Sequence, residues 1–86
     1  MQVTMIDRRA LGMRLHMLRW DRDWSAKEVE RRSGVPEATL LRWERAVGKS
    51  YPPLDRLATL AALYDVPLGE LLDEGSDMRV SVKAVA

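Results

Sequence analysis

The turn at Gly34-Val35-Pro36 constrains the fold of this chain more than any other feature, because it separates two stretches with helical patterns. Glycine adopts the left-handed backbone that ends a helix with little strain. Proline suits the start of the following helix, since its missing N–H would have no intrahelical partner there. We therefore expect one helix to end near Arg32 and another to begin near Pro36.

Both flanking stretches carry further helix signals. Ser25 can accept a hydrogen bond from an unpaired backbone N–H, and Glu28 stands three residues later, as in a capping box, so a helix should begin at about Ala26. In the second helix Leu40 and Trp43 share one face. The residues on its other faces are Glu37, Ala38, Leu41, Arg42 and Arg45. Two helices joined by a short glycine-containing turn are the sequence form of a helix-turn-helix, whose second helix can enter a DNA major groove.

Three further helices are expected around this pair. Asp7 can cap a first helix that runs to about Trp20, while Pro52-Pro53 and Asp65-Val66-Pro67 bracket a fourth. The approximate ranges of the fourth and fifth helices are 54–64 and 68–72. Apolar residues that should fill the core are Leu11, Leu15, Leu18, Leu57, Leu60, Ala61, Tyr64, Leu68, Leu71 and Leu72.

The two ends of the sequence alternate apolar and polar residues, which permits a strand over residues 1–5 and favours one over 78–86. A lone strand leaves N–H and C=O groups unpaired, so it needs the other terminal strand or a second subunit. The candidates for such a dimerisation arm are Met78, Val80, Val82 and Ala84. A disordered tail is the alternative. The chain is thus divided into a possible strand (1–5), a helical domain (6–74), and a linker with a strand (75–86).

Several classes of site and protein are disfavoured by composition. The chain has no cysteine, and its one histidine, His16, has no cluster of Cys, Asp or Glu around it in sequence, so we expect no disulfide, metal or cofactor. It also has no glycine-rich phosphate loop and no carboxylate pair in an evident cleft, so we expect no enzymatic activity. No apolar run approaches the roughly 20 residues of a membrane span. We therefore expect a soluble, cytoplasmic protein without membrane contact.

The net charge of +1 conceals an asymmetry along the chain. Residues 1–51 carry eleven Lys and Arg against seven Asp and Glu, a net charge of +4, while residues 52–86 carry −3. The basic half contains the predicted helix-turn-helix. Such a distribution suits contact with a polyanion, although +4 is also compatible with an ordinary solvated surface.

An ordered series of residues over about residues 11–72 resembles the lambda-repressor-like, or xenobiotic-response-element, family of helix-turn-helix proteins. The series comprises Leu15, Leu18, Arg19, Ser25, Val29, Gly34, Leu40, Trp43, Glu44, Leu57, Leu60, Ala61, Tyr64, Val66, Leu68 and Leu71. The resemblance implies an all-α, five-helix DNA-binding domain, here with the C-terminal strand added. It also implies a structural ion pair between Arg19 and Glu44 that ties helix 1 to helix 3.

The resemblance further implies which residues contact DNA. The candidates for reading base edges are Glu37, Ala38, Thr39, Leu41 and Arg42. The candidates for contacting phosphates are Ser25, Ala26, Lys27, Arg42, Arg45, Lys49, Ser50 and Tyr51. Three positions depart from the family pattern. Ala26 replaces a phosphate-binding glutamine, Glu30 replaces a small residue where helices 2 and 3 approach, and Asp23 replaces a glycine.

The leading hypothesis is a sequence-specific regulator of transcription, most simply a repressor, that binds double-stranded DNA as a homodimer. It would read the major groove with helix 3 (about 36–45). Two alternatives stay open: the antitoxin of a toxin–antitoxin pair, and a protein-interaction module that has lost DNA binding. The second draws on four residues at or near the presumed DNA face, Ala26, Glu30, Glu37 and Leu41. It also draws on Trp20 and Leu41, which are expected to be exposed and could contact a protein partner. Trp24 and Trp43 are expected to pack in the core rather than to stack on bases.

Overall fold

The computed structural model describes residues 7–49 and 51–72, which form five α-helices. These are α1 (Arg8–Asp21), α2 (Ala26–Ser33), α3 (Glu37–Arg45), α4 (Leu54–Leu63) and α5 (Leu68–Leu72). The all-α class and the five predicted helices are confirmed. The predicted terminal strands, the arm residues Met78, Val80, Val82 and Ala84, and Ser50 lie outside the described residues.

The helix ends form where the capping residues predict. The Asp7 carboxylate accepts a hydrogen bond from the Arg9 N–H at 2.9 Å, and the Ser25 hydroxyl accepts one from the Glu28 N–H at 3.0 Å. Gly34 has φ 84° and its N–H donates to the Glu30 carbonyl at 2.8 Å, which ends α2. Helix α3 begins one residue later than expected, with proline as its N-cap.

Only half of the predicted capping box forms. The Glu28 carboxylate accepts from the Arg31 guanidinium and, at 2.6 Å, from Arg32 Nε, instead of from the Ser25 N–H. Both ion pairs lie at the surface, where water and salt screen them, so they add little to stability. The Arg32 guanidinium also lies 4.3 Å from the centre of the Trp24 ring, where it covers the indole. The charges of Arg31 and Arg32 are thus balanced by a carboxylate of the same helix, Glu28.

The core is built from apolar residues of all five helices and of the turn between α2 and α3. Its buried members are Leu11, Leu15, Ala26, Val29, Val35, Leu40, Leu57, Leu60, Ala61, Tyr64 and Leu71. Trp24 and Trp43 are half-buried and pack against this core, as expected. The expectation that Leu41 is exposed is wrong, because its side chain also packs there. Trp20 is exposed, at 67%.

Helices α1 and α3 approach so closely at Gly12 that no side chain fits between them. A Cβ atom built on Gly12 would lie 2.5 Å from the Trp43 carbonyl oxygen and 2.6 Å from that of Glu44. Backbone atoms cannot turn aside as a flexible side chain can, so glycine is required here. The sequence pattern gave Gly12 no role.

The Arg19–Glu44 ion pair joins α1 to α3 in the bidentate form that the family resemblance implies. Arg19 Nε lies 2.7 Å from Glu44 Oε2, and Arg19 Nη2 lies 2.8 Å from Glu44 Oε1. Arg19 Nη1 also donates to the Trp24 carbonyl at 3.0 Å, which fixes the loop before α2. The Glu44 side chain is only 3% exposed, and its hydrogen bond raises the pKa of Arg19. A buried, charge-assisted pair of this kind sets the orientation of α3.

Two departures from the family pattern are accommodated locally. Asp23 adopts the left-handed backbone, with φ 59°, at the position where the family has glycine. Glu30 is exposed at the edge of the contact between the two helices, so it does not separate α2 from α3. The side chain of Ala26 is buried in the core.

Candidate nucleic-acid interface

The outer side of α3 presents three exposed residues in one row. Ala38, Arg42 and Arg45 are spaced at i, i+4 and i+7, and all three are exposed, whereas Leu40 on the opposite side is fully buried. Glu37 and Thr39 are half-buried beside this row. The row is the part of α3 that a partner can reach.

The five candidate base-reading residues therefore differ in accessibility. Ala38 and Arg42 lie on the exposed row, and Glu37 and Thr39 are partly accessible at its edge. Leu41 packs against the core, which leaves less of its side chain to contact a thymine methyl. The exposed Arg45, expected to contact phosphate only, completes the row.

The start of α2 provides backbone donors. The Glu28 N–H is taken by the Ser25 hydroxyl and the Val29 N–H by the Ser25 carbonyl. The amides of Ala26 and Lys27 belong to the first helical turn, where an N–H has no intrahelical acceptor. Together with the exposed ammonium group of Lys27, they suit contact with an anion.

The segment after α3 adds a second group of polar residues. Ala46 and Gly48 have left-handed backbones, with φ 55° and 84°, and turn the chain so that Lys49 and Tyr51 are both exposed. The Arg8 guanidinium lies 5.8 Å from the centre of the Tyr51 ring, which brings the start of α1 to this segment.

The start of α1 contributes cations to this region that the sequence analysis did not include among the candidates. Arg8 Nη1 donates to the Ala46 carbonyl at 3.4 Å. Arg9 and Arg45 line one shallow depression, together with Met13 and His16. The Arg8-Arg9 pair directly after the capping Asp7 is the only signal in the sequence, and it does not reveal the neighbouring helix end.

Ion pairing separates the cations into two groups. Arg31 and Arg32 on α2 share the carboxylate of Glu28. Arg42, Arg45 and Lys49 form no ion pair with any residue in 7–49 or 51–72. Cations without an ion pair among the described residues therefore lie along α3 and the segment after it, and also at the starts of α1 and α2, where Arg8, Arg9 and Lys27 form none.

The start of α3 has the opposite charge. The Glu30 carboxylate, on α2, accepts a hydrogen bond from the Glu37 N–H at 3.1 Å and so caps α3 across seven residues of sequence. Pro36 makes no side-chain cap, and Glu37 adds a second carboxylate in the first turn. Helix α3 thus runs from an acidic start to a basic end. In the sequence, Glu30 is noticeable only as a departure from the family pattern, and its role as a cap of α3 was not predicted.

A family model described as a helix-turn-helix domain matches residues 10–75. The chain belongs to this helix-turn-helix domain family. The match covers α2 to α5 entirely and α1 from its third residue. No match was found among curated proteins or among solved structures.

The family and the fold together indicate a DNA-binding regulator. In a helix-turn-helix domain the second helix of the motif is the one that enters the major groove, and here that helix is α3, with its exposed basic row. The residues described in the structure contain no group of three His, Cys, Asp or Glu side chains placed to hold a metal ion. No helix among them is long and apolar enough to cross a membrane.

Proposed function

We propose that this helix-turn-helix protein is a sequence-specific repressor of transcription that reads double-stranded DNA with α3. One observation carries the proposal: α3 is fixed on its inner side by the buried Arg19–Glu44 pair, and its outer row leaves Arg42 and Arg45 without ion pairs among the described residues. A rigid helix with accessible cations is what insertion into a negatively charged groove requires.

Base recognition falls to the exposed and half-exposed residues of α3. Arg42 can donate two hydrogen bonds to O6 and N7 of a guanine, the commonest specific contact in the major groove. Glu37 can accept from a cytosine N4 amine, and Ala38 and Thr39 can contact thymine methyl groups. Leu41, packed against the core, contributes least.

Phosphate contacts come from both sides of α3. On one side, the backbone N–H groups of Ser25, Ala26 and Lys27, with the side chains of Ser25 and Lys27, meet the DNA phosphates at the start of α2. On the other side, Arg45, Lys49 and Tyr51, with Ser50, follow the reading helix. These contacts supply affinity and register rather than sequence preference.

A homodimer completes the proposal. Its two reading helices would lie about 34 Å apart, one turn of DNA, which predicts a palindromic operator. The alternating residues Met78, Val80, Val82 and Ala84 are the candidates for the dimerisation arm. Such a regulator would act in the cytoplasm, where bacterial or phage DNA lies.

A second candidate, a protein-interaction module, is favoured by one face of α1. Met13, Met17 and Trp20 are spaced at i, i+4 and i+7 and are 66%, 51% and 67% exposed. An apolar stripe of this kind suits a protein partner. An antitoxin would combine such a partner with DNA binding, whereas a module that has lost DNA binding would use the stripe alone.

Selection of bound sequences from a random duplex pool tests these candidates. A palindromic consensus, followed by lower expression of a reporter gene downstream of it, would support the repressor. The repressor is excluded if no sequence is enriched and if adding the protein at low salt does not change the fluorescence anisotropy of a labelled random duplex. The protein-interaction module is then the remaining candidate.

A further inference from the structure

Glu30 lies at the corner between α2 and α3, with an exposed side chain. Its carboxylate accepts the N–H of Glu37 at 3.1 Å, and this amide belongs to the first residue of α3. The N-cap residue Pro36 has no side chain that could do the same. Glu30 therefore serves as the cap of a helix to which it does not belong.

The same amide would otherwise be available to DNA. The first N–H groups of a helix carry partial positive charge and bind phosphate when nothing else occupies them. A carboxylate 3.1 Å from the Glu37 nitrogen occupies this donor and places a negative charge beside it. The Glu37 side chain brings a second carboxylate to the same turn.

The end of α3 is not shielded in this way. Arg42 and Arg45, in the last turn of α3, form no ion pair within the described part of the chain. DNA of any sequence can therefore be attracted to the end of α3 but is repelled at its start. Only a duplex that offers suitable base edges to α3 compensates for this repulsion.

We propose that Glu30 is a specificity-determining residue that lowers affinity for non-cognate DNA by excluding phosphate from the start of α3. This inference rests on the proposed function. This role and a purely structural role of Glu30 predict opposite changes in affinity when the residue is replaced. Loss of a structural cap would loosen α3 and weaken binding to every duplex, whereas loss of a phosphate-excluding carboxylate strengthens binding to random duplex.

Two variants of the full chain separate the charge from the cap. Glu30→Gln keeps an acceptor for the Glu37 N–H and removes the negative charge, while Glu30→Ala removes both. Glu70→Gln and Glu70→Ala are matched controls, because Glu70 is an exposed residue on α5 that forms no hydrogen bond or ion pair with α3 among the described residues. Binding is followed by anisotropy on random duplex and on the selected operator, over a series of KCl concentrations.

For Glu30→Ala we expect about three- to fivefold tighter binding to random duplex and a salt slope steeper by about 0.9, the value for one added phosphate contact. Affinity for the operator should rise less, so the ratio of the two affinities falls. Glu30→Gln should bind random duplex more tightly than wild type, with little change in slope. Both Glu70 variants should match wild type.

Weaker binding of the Glu30 variants to both duplexes would overturn the inference, as would equal effects of the Glu30 and Glu70 substitutions. If Glu30→Ala fails to fold by circular dichroism, the comparison of Glu30→Gln with Glu70→Gln decides alone. If wild type binds its operator and the Glu30 variants are unchanged, only this inference fails. If wild type binds no duplex at all, the proposed function fails with it.

Discussion

Glu44 is a nearly buried carboxylate on α3 that contacts two side chains of α1. Both of its carboxylate oxygens accept from Arg19, and Oε1 also lies 3.1 Å from His16 Nδ1. The side chain is almost fully buried, so its charge is balanced by the Arg19 guanidinium and not by water. The contact with His16, which is half-exposed, was not expected from the sequence.

Replacing Glu44 should therefore destabilise the fold. We expect Glu44→Ala to lower the free energy of unfolding by roughly 3–5 kcal/mol, because it leaves the charge of Arg19 without its partner. Urea denaturation followed by circular dichroism measures the change. Glu70→Ala, at an exposed position, is the control and should stay within about 0.5 kcal/mol of wild type. A loss below 1 kcal/mol for Glu44→Ala would show that the pair does not hold α1 to α3.

Tyr64 is fully buried, and its hydroxyl has no hydrogen-bond partner among the described residues. Burial raises the pKa of Tyr64 to about 12, and the nearby Glu44 adds to the shift. In the unfolded chain a tyrosine has a pKa of about 10. The folded state therefore resists ionisation of this phenol.

A loss of stability at alkaline pH follows. Since the folded pKa is higher than the unfolded one, the stability that depends on neutral Tyr64 is complete below pH 10 and is lost as the pH rises towards 12. We expect a fall of about 2 kcal/mol in the free energy of unfolding between pH 9 and pH 12 from this residue. Urea titrations of wild type and Tyr64→Phe over this range isolate it. Parallel pH dependence in the two proteins would contradict the assignment.

At the scale of elements, the contact between α1 and α3 depends on a glycine, Gly12, which has no side chain to keep the two helices apart. Gly12 lets the backbones meet at the carbonyls of Trp43 and Glu44. This approach places Glu44 within reach of Arg19 and so determines how α3 is presented. The position of the proposed reading helix is thus decided on the side away from DNA.

Substitutions of two helical glycines should have opposite effects. We expect Gly12→Ala to destabilise the protein by roughly 1–3 kcal/mol, because the new methyl group forces α1 and α3 apart. Gly69→Ala on α5, where a Cβ would meet no atom within 4 Å, should stabilise it by roughly 0.5–1 kcal/mol. Thermal unfolding of both variants measures the two shifts. Equal shifts in the same direction would exclude close packing as the reason for Gly12.

Helix α3 and the segment after it should divide recognition between them. We expect Arg42→Ala to reduce discrimination at one base pair by roughly 1–3 kcal/mol. Lys49→Ala should weaken binding evenly on all sequences and lower the salt slope by about one. Anisotropy titrations on the selected operator and on single-base variants measure both effects. Equal losses for Arg42→Ala on operator and random duplex would exclude it as a base reader.

At the scale of the whole molecule, the exposed apolar stripe of Met13, Met17 and Trp20 on α1 begins beside the cations at the end of α3. Met13 lines one depression with Arg9 and Arg45, while Met17 and Trp20 follow further along α1. A protein partner that covers the whole stripe would therefore lie next to Arg45. An antitoxin would have to bind its protein partner and DNA at neighbouring surfaces.

The dimerisation arm can be tested by truncation. We expect removal of residues 78–86 to convert the protein to a monomer, because the alternating apolar residues of the arm are lost. Sedimentation velocity of the full chain and of the truncated chain measures the change, and circular dichroism controls for folding. A truncated chain that sediments as a stable dimer would contradict the arm, and α1 would then be the next surface to test.

The positions of the five helices and most of the core were determined by the sequence itself. Capping by Asp7, Ser25 and Gly34 acts within a few residues, and the spacing of apolar residues fixes which side of each helix is buried. These interactions are local, so the order of residues is enough to specify them.

Other features were decided only when distant segments met. The close approach at Gly12, the cap that Glu30 provides for α3, and the packing of the partly buried Leu41 against the core each depend on the distance between two helices. Nothing in the neighbouring residues encodes such distances, because they result from packing the whole core. The candidate interface combines both kinds of information: its residues were named from the sequence, but which of them are accessible, and which charges are already neutralised, followed from the tertiary structure.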